Sequence, residues 1–321
     1  MILHILKYSG DYSRLDSTIH WMNSRRGQFI LLFFITVSIH GLFSVRSFGH
    51  DEVFFKHKKV SPEMLIAKLN SAQVLVDERD YLELNELPPT PVPEEKVLQL
   101  TIWNSQKFNN IQSLIDLQNL AQQTDFFMIQ EAIYTQAVLN QFAVASAFEW
   151  VGVKSFKYFG DYTGVITGSR FGSVNYKGFR SIQKEPVIKT TKSALISYFK
   201  SDTHEQLAVV NLHALNFVTN KKYELHLLPM IKELENFKGP LIMAGDFNTH
   251  LTERNRILSR WMEKLKLKHV PVFNDDRRLK LDHIYVRGVV AQPATIRKDI
   301  QSADHYPMEI KFVIPQPESQ I

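Results

Sequence analysis

The 321-residue chain contains no cysteine. That absence excludes disulfides, zinc–thiolate centres and cysteine nucleophiles. It does not select a compartment, since cysteine-free proteins work on either side of a membrane. Charge is not extreme: 38 Lys+Arg against 33 Asp+Glu leave a net charge of +5, a weak pull toward polyanions or anionic surfaces. No internal repeat is visible, and no interleaving of basic and aromatic residues stands out as a base-stacking platform. Long apolar runs are equally scarce. Residues 28–45 form the single strongly apolar segment.

That segment follows Arg25-Arg26 and precedes Arg46. Its length is at the short end for a helix that spans a bilayer. Read from Met22, its basic start and apolar core also match a secretory signal, with Ser47 and Gly49 as a small-x-small cleavage candidate. A buried core helix is the third reading, disfavoured by the bracketing arginines and the lack of amphipathic alternation. The expectation is an N-terminal segment over 1–50 that exports or anchors the chain, with the catalytic part outside the cytoplasm. Residues 51–96 read as a charged connector with a helix over 62–75, closing in the proline-rich stretch 87–93. A compact domain over 97–315 and a tail over 316–321 complete the chain.

Within 97–315 the pattern predicts strands over 97–103, 126–130, 207–212, 241–244, 283–286 and 308–314. It predicts helices over 111–122, 134–142, 223–237 and 253–265, and hairpins across 156–211. This is an α+β arrangement of two packed sheets with helices outside, a four-layer α/β/β/α sandwich. Charge is uneven: between Val151 and Lys200 there are nine Lys/Arg against Asp161 and Glu185, while the stretch 61–96 is acidic. A charge run is usually a solvated face, so the basic stretch supports a polyanion-binding reading without carrying it.

The stretch Gly239 to Thr249 carries the most information. An apolar run, Leu241 to Ala244, ends in Gly245-Asp246-Phe247-Asn248. Alternation along a strand would send Asp246 and Asn248 the same way, where an anionic acceptor and an amide can bind a hard cation, hold water or meet a phosphate oxygen. An Asp-x-Asn turn bonding its own backbone explains the same residues. Other polar clusters sit at predicted strand ends: Trp103-Asn104, Gln130-Glu131, His213 with Asn216, Asp282-His283, and Asp304-His305. Each has a bland alternative. Asn104 fits a turn, Glu131 a helix N-terminus, His213 a bonded strand-edge histidine, Asp304 a turn cap, and Asp282 an ion pair with Arg277, Arg278 or Lys280.

Their order along the chain resembles the endonuclease/exonuclease/phosphatase superfamily, through residues 101–104, 129–132, 211–217, 243–249, 281–288 and 303–312. Within it the chain looks closest to a bacterial branch with an N-terminal hydrophobic segment and undefined substrate. The resemblance implies a divalent cation, Mg²⁺ or Mn²⁺, on Glu131 with Asn104, and Asp304 nearby. It implies that Asp246 activates water and that Asn248 meets the phosphate. His305, oriented by Asp282, would face the scissile group, with His213 as a second imidazole that protonates the leaving oxygen. Asn216 and Lys184 would contact phosphate. In secreted deoxyribonucleases a glutamate from a preceding strand holds the histidine matching His213, and residues 161–170 contain none. The expected function is a metal-dependent phosphodiesterase with nucleic acid as substrate. The alternatives are a lipid-headgroup phosphodiesterase or phosphatase, favoured by a membrane-proximal position through 28–45, and a non-catalytic module on the same fold.

Overall fold

The computed structural model describes residues 76–316, apart from 146, 187 and 203–205. The apolar run 28–45 and the helix predicted over 62–75 lie outside the described residues. Among the described residues no helix is long and apolar enough to cross a membrane.

The chain opens with β1 (Tyr81–Leu84), β2 (Leu98–Asn104), α1 (Ile111–Ala121), β3 (Phe126–Ile133) and α2 (Gln136–Val144). Four strands follow, β4 (Glu149–Tyr158), β5 (Asp161–Ser169), β6 (Ser173–Arg180) and β7 (Ser193–Lys200), and then β8 (Gln206–His213), α3 (Asn220–Glu235) and β9 (Leu241–Asp246). The remaining elements are α4 (Thr252–Lys264), β10 (Lys268–His269), β11 (Asp282–Arg287), β12 (Val290–Ala291), β13 (Thr295–Ile296) and β14 (Met308–Val313). One sheet has the order β1-β4-β5-β3-β2-β14-β12, with β13 also on β14; the other has the order β10-β11-β9-β8-β7-β6.

Alternation along the strands makes the layers. Leu98, Leu100, Ile102, Phe126 and Met128 meet Leu207, Val209, Ile242, Ala244 and Ile284 between the sheets. The interleaved Trp103, Phe127 and Ile129 pack outward with Leu117 of α1 and Phe142 of α2. On the other side Val210 and Met243 pack with Tyr223 and Leu227 of α3 and Ile257 and Leu258 of α4. Each such buried aliphatic side chain contributes about 2 kcal/mol. The four-layer α/β/β/α sandwich expected from the sequence is the observed architecture.

Two features depart from that reading. Tyr81–Leu84, assigned to the connector, is an edge strand whose residues pair with Val153 through Trp150 of β4; the acidic composition around it hid the pattern. Val92, inside the proline-rich stretch, is fully buried between the sheets and donates its N–H to the Lys200 carbonyl at 2.8 Å. Residues N-terminal to 97 therefore take part in the fold through β1 and Val92, while residues 88–91 are exposed.

Register brings the candidate residues to one end. β9 runs parallel to β8 with Asp246 beside His213, and antiparallel to β11 with Asp246 opposite Asp282. Asn104 is level with Gln130 at the ends of β2 and β3. Met308 pairs with Ile102, so Asp304 and His305 arrive at the same end. Gly245 makes this possible: its φ is +137°, and a Cβ there would lie 2.0 Å from the Leu212 carbonyl oxygen. Any larger residue would force β9 away from β8 just before Asp246.

Beneath the site a buried amide pair joins the sheets. Gln130 Nε2 donates to Asn211 Oδ1 at 2.7 Å, and Asn211 Nδ2 donates to the carbonyls of Ile129 and Ile166 at 3.2 and 3.0 Å. Removing one partner leaves buried polar atoms unsatisfied. Asn211→Ala is therefore expected to destabilise the fold by about 3 kcal/mol, read from urea unfolding; an unchanged midpoint would show that the join carries no weight.

Candidate active site

Glu131 is where the strand pattern breaks. The β3–β5 register shifts between Ile129 and Ala132, and Glu131 has φ +55°. Ile129 and Ala132 both face the helices, so Glu131 is the extra residue of a β-bulge, re-aimed out of the alternation. Its carboxylate bonds the Lys107 ammonium, lies 3.6 Å from Lys192 Nζ and lies 3.8 Å from His213 Nε2. Burial disfavours its charge, yet Lys192 and Lys107 outweigh that and hold its pKa well below the carboxylate range. Glu131 is ionised.

Lys107 reaches Glu131 from a left-handed turn. Gln106, Lys107 and Phe108 have φ of 50°, 63° and 52°. Non-glycine residues in that region cost about 1 kcal/mol each. Burial of Phe108 against Trp103 and Phe142, both edge-on at 5.8 Å, anchors the turn.

Asp246 is held by two donors. Asn104 Nδ2 donates to its Oδ2 at 3.1 Å, and the Asn248 backbone N–H donates to its Oδ1 at 3.0 Å. The second bond is the local Asp-x-Asn turn. Asn248 has φ +52° and gives one side-chain N–H to the Ala214 carbonyl at 2.9 Å. Arg254, fully buried, donates to the carbonyls of Asn248 and Val218 at 2.9 Å and of Leu215 at 3.2 Å, clamping the loops after β8 and β9. Burial raises the Asp246 carboxyl above the usual range; nearby Asp282 adds to this and His305 opposes it.

Asp282 and His305 form a pair. Nδ1 of His305 lies 3.1 and 3.0 Å from the two Asp282 oxygens, and Trp103 Nε1 donates to the His305 carbonyl at 3.1 Å. Behind Asp282 stands Arg277, at 3.4 Å, itself held by Asp275 at 2.9 Å. Burial opposes charge on both members, but their mutual attraction prevails: Asp282 is lowered and His305 is raised. His305 is thus the protonated imidazole of the site. His213 is the opposite case. Burial first, and Lys192 next, keep its pKa well below the ordinary value, so it is neutral. The carboxylates beside His213 Nε2 are Asp246, at 3.5 Å, and Glu131.

Ligand atoms of Asp246, Asp282 and His305 lie within 4.8 Å of one another. Asp304 is exposed and stands outside that cluster. Lys184 is exposed as well; Lys192 and Lys107 are lysines that reach Glu131. Next to Lys184, Glu185 is buried and accepts from the Asn216 backbone N–H at 2.7 Å and from Thr190 Oγ1 at 2.6 Å. Asn216 therefore meets the site through its backbone. Lys107, Lys192, Glu185 and Arg254 are the residues sequence reasoning missed. Arg277 is one of the three partners the sequence offered for Asp282, and the structure makes that ion pair.

His226 of α3 bonds the backbone of His213 and is buried, which lowers its pKa to about 4. Unfolded, it would take a proton near 6.5. The unfolded chain therefore binds more protons between those values, and stability falls as pH drops through them. For this histidine alone the loss is about 2 kcal/mol at pH 5. His226→Gln is expected to flatten the decline in urea midpoint between pH 7 and 5; an identical slope would refute the assignment.

No family model matches the chain. A UPF0294 protein of Vibrio campbellii is 31% identical over 236 residues, covering 70% of this chain and 81% of that protein. A UPF0294 protein of Vibrio cholerae is 29% identical over 221 residues, covering 67% and 77%. Among solved structures, an endonuclease/exonuclease/phosphatase from Bacteroides vulgatus aligns with a TM-score of 0.53 at 15% identity, over 68% of this chain and all (100%) of that one. The catalytic domain of human Nocturnin aligns with a TM-score of 0.50 at 17% identity, over 73% and 96%. The chain belongs to the UPF0294 family and has the endonuclease/exonuclease/phosphatase fold.

Proposed function

We propose that this protein is a divalent-metal-dependent phosphoester hydrolase. The observation that carries the reading is the opposed state of two neighbouring acids and their partners. Asp246 has a raised pKa and two fixed donors, which suits a base for water. His305 is protonated against Asp282, which suits a proton donor to a departing oxygen. In the reaction a water oxygen bonds phosphorus as the P–O bond to the leaving group breaks. The water proton goes to Asp246, and the His305 proton goes to the leaving oxygen.

The donor set fits a hard cation. Because His305 Nδ1 already bonds Asp282, the oxygens of Glu131 and Asn104 are the better ligands, with Asp304 at the exposed rim. Glu131 is ionised, as such a ligand must be. Bound there, Mg²⁺ or Mn²⁺ would polarise the phosphoryl oxygens and offset their developing charge. Lys192 and the free N–H of Asn248 supply further positive potential to the same pocket.

A nucleic-acid substrate has less support than the composition suggested. Lys177 is paired with Glu233 and Arg180 with Asp80. Arg170 donates to the carbonyls of Thr124 and Ala121, Lys154 to that of Arg79, and Lys192 faces Glu131. Much of the basic 151–200 stretch is thus internal bonding and not a free backbone-binding face. The full chain should be assayed with Mg²⁺ or Mn²⁺ on bis(4-nitrophenyl) phosphate, plasmid DNA, RNA, sphingomyelin and phosphoinositides. Turnover of at least one phosphoester is expected; none on any would contradict the proposal.

A further inference from the structure

Three connecting segments stand at the end of the sheets that carries the site. The β4–β5 turn stands at the C-terminal end of β3, because Ile133 pairs with Thr163. The β6–β7 loop stands at the C-terminal end of β8, because Leu212 pairs with Ala194. Residues 214–219 follow β8 directly. All three lie at the end that carries Glu131, His213 and Asp246.

Each segment exposes apolar side chains that packing does not explain. Phe159 is 92% exposed at the tip of a two-residue turn between the paired Tyr158 and Asp161. Phe159 has φ +48° and Gly160 φ +101°, a turn that favours Asn-Gly. A phenylalanine there adopts a disfavoured backbone and buries almost nothing. Phe217 repeats the pattern, 50% exposed with φ +45°. On the β6–β7 loop Ile182 and Ile188 are 47% and 67% exposed, on either side of Glu185. The Phe159 tip adjoins the pocket itself: its ring packs on Tyr158 at 4.6 Å, and Lys107, the partner of Glu131, lies 5.2 Å over the Tyr158 ring.

Cations interleave with these tips. Lys184 and Lys189 share the loop with the isoleucines and are exposed. Lys221 and Lys222, also exposed, occupy the first turn of α3, which has no acidic residue. Cations there oppose the helix dipole and add to the positive potential at that end. The three segments and that first turn include one exposed acid, Asp161. Apolar tips set among lysines are the composition that binds an anionic lipid–water boundary. Nucleic acid would satisfy the lysines and could stack on Phe159 and Phe217, yet Ile182 and Ile188 offer its bases no stacking surface.

We propose that this end docks on an anionic lipid surface. The apolar tips enter the headgroup region, the lysines meet lipid phosphates, and the pocket receives a lipid phosphoester headgroup. The chemistry rests on the hydrolase reading, while the docking is tested without turnover. Because the chain has no cysteine, one introduced thiol takes a single nitrobenzoxadiazole label. On vesicles of equal phosphatidylcholine and phosphatidylglycerol, label at Phe159→Cys or Phe217→Cys in the full chain should shift to the blue and brighten severalfold. Label at Val290→Cys, beyond the opposite end of β11, should not change. No response at 159 and 217, an equal response at 290, or a response to single-stranded oligonucleotide in place of vesicles would overturn the proposal. Normal turnover of bis(4-nitrophenyl) phosphate by the Phe159→Ser/Phe217→Ser chain would separate lost docking from lost hydrolysis.

Discussion

Replacing Asp246 by asparagine is expected to lower phosphoester turnover by about a thousandfold, the scale of losing a general base. The substitution keeps the shape of the side chain. Its oxygen can still accept from the Asn248 N–H, but its new amide then faces Asn104 Nδ2, donor against donor. Asn104 cannot simply turn over, because its own Oδ1 accepts from the Gln106 N–H at 3.2 Å. Stability should therefore fall by about 1 kcal/mol, far too little to unfold the chain. The two effects are separated by measuring turnover and urea unfolding on the same preparation. A variant that stays within about tenfold of the parent would remove Asp246 from the chemistry.

The second large effect concerns the Asp282–His305 pair. His305 is protonated because Asp282 faces it inside a buried site. Asp282→Asn removes that charge while Arg277 keeps its partner Asp275. With that carboxylate gone, burial lowers the imidazole's pKa against the weaker upward pull of Asp246 and Asp304, and the protonated form loses its main support. Turnover should fall by about a hundredfold to a thousandfold. The sign with pH follows from both groups: below about 6.5 the imidazole takes up a proton from solvent, while protonation of Asp246, raised to about 7, costs variant and parent alike, so the variant should recover activity relative to the parent as pH falls. His305→Gln should show no such recovery. Because the two groups act as one unit, the double variant should be no worse than the poorer single one. Additive losses, or parallel pH profiles, would mean that the pair does not share one proton.

These expectations rest on residues of unequal visibility. Gly-Asp-Phe-Asn and Asp-His-Tyr-Pro stand out because each ends or begins a buried strand, where short-range pattern and placement coincide. The sheet order then follows from register, and the four layers follow from alternation of apolar residues. Glu131 was visible as a residue but not in its orientation, since a bulge reverses what alternation implies. Lys107 had no signal at all: its turn is left-handed without a glycine and exists because Phe108 is buried. Lys192 looked like one more member of a basic run until the loop closed it over Glu131 and Glu185. Charge counted along the chain could not reveal that Arg180 and Lys177 are neutralised by Asp80 and Glu233, partners far away in sequence. For the same reason β1 was hidden, its pairing with β4 being a long-range choice made by acidic, weakly patterned residues.

The most direct test is turnover of a phosphoester by the purified full chain as the divalent cation is removed and returned. Activity is expected to fall to background in EDTA and to return when excess Mg²⁺ or Mn²⁺ is added, with folding unchanged throughout by circular dichroism. Undiminished hydrolysis in chelator would contradict a metal-dependent phosphoester site built on Glu131 and Asn104.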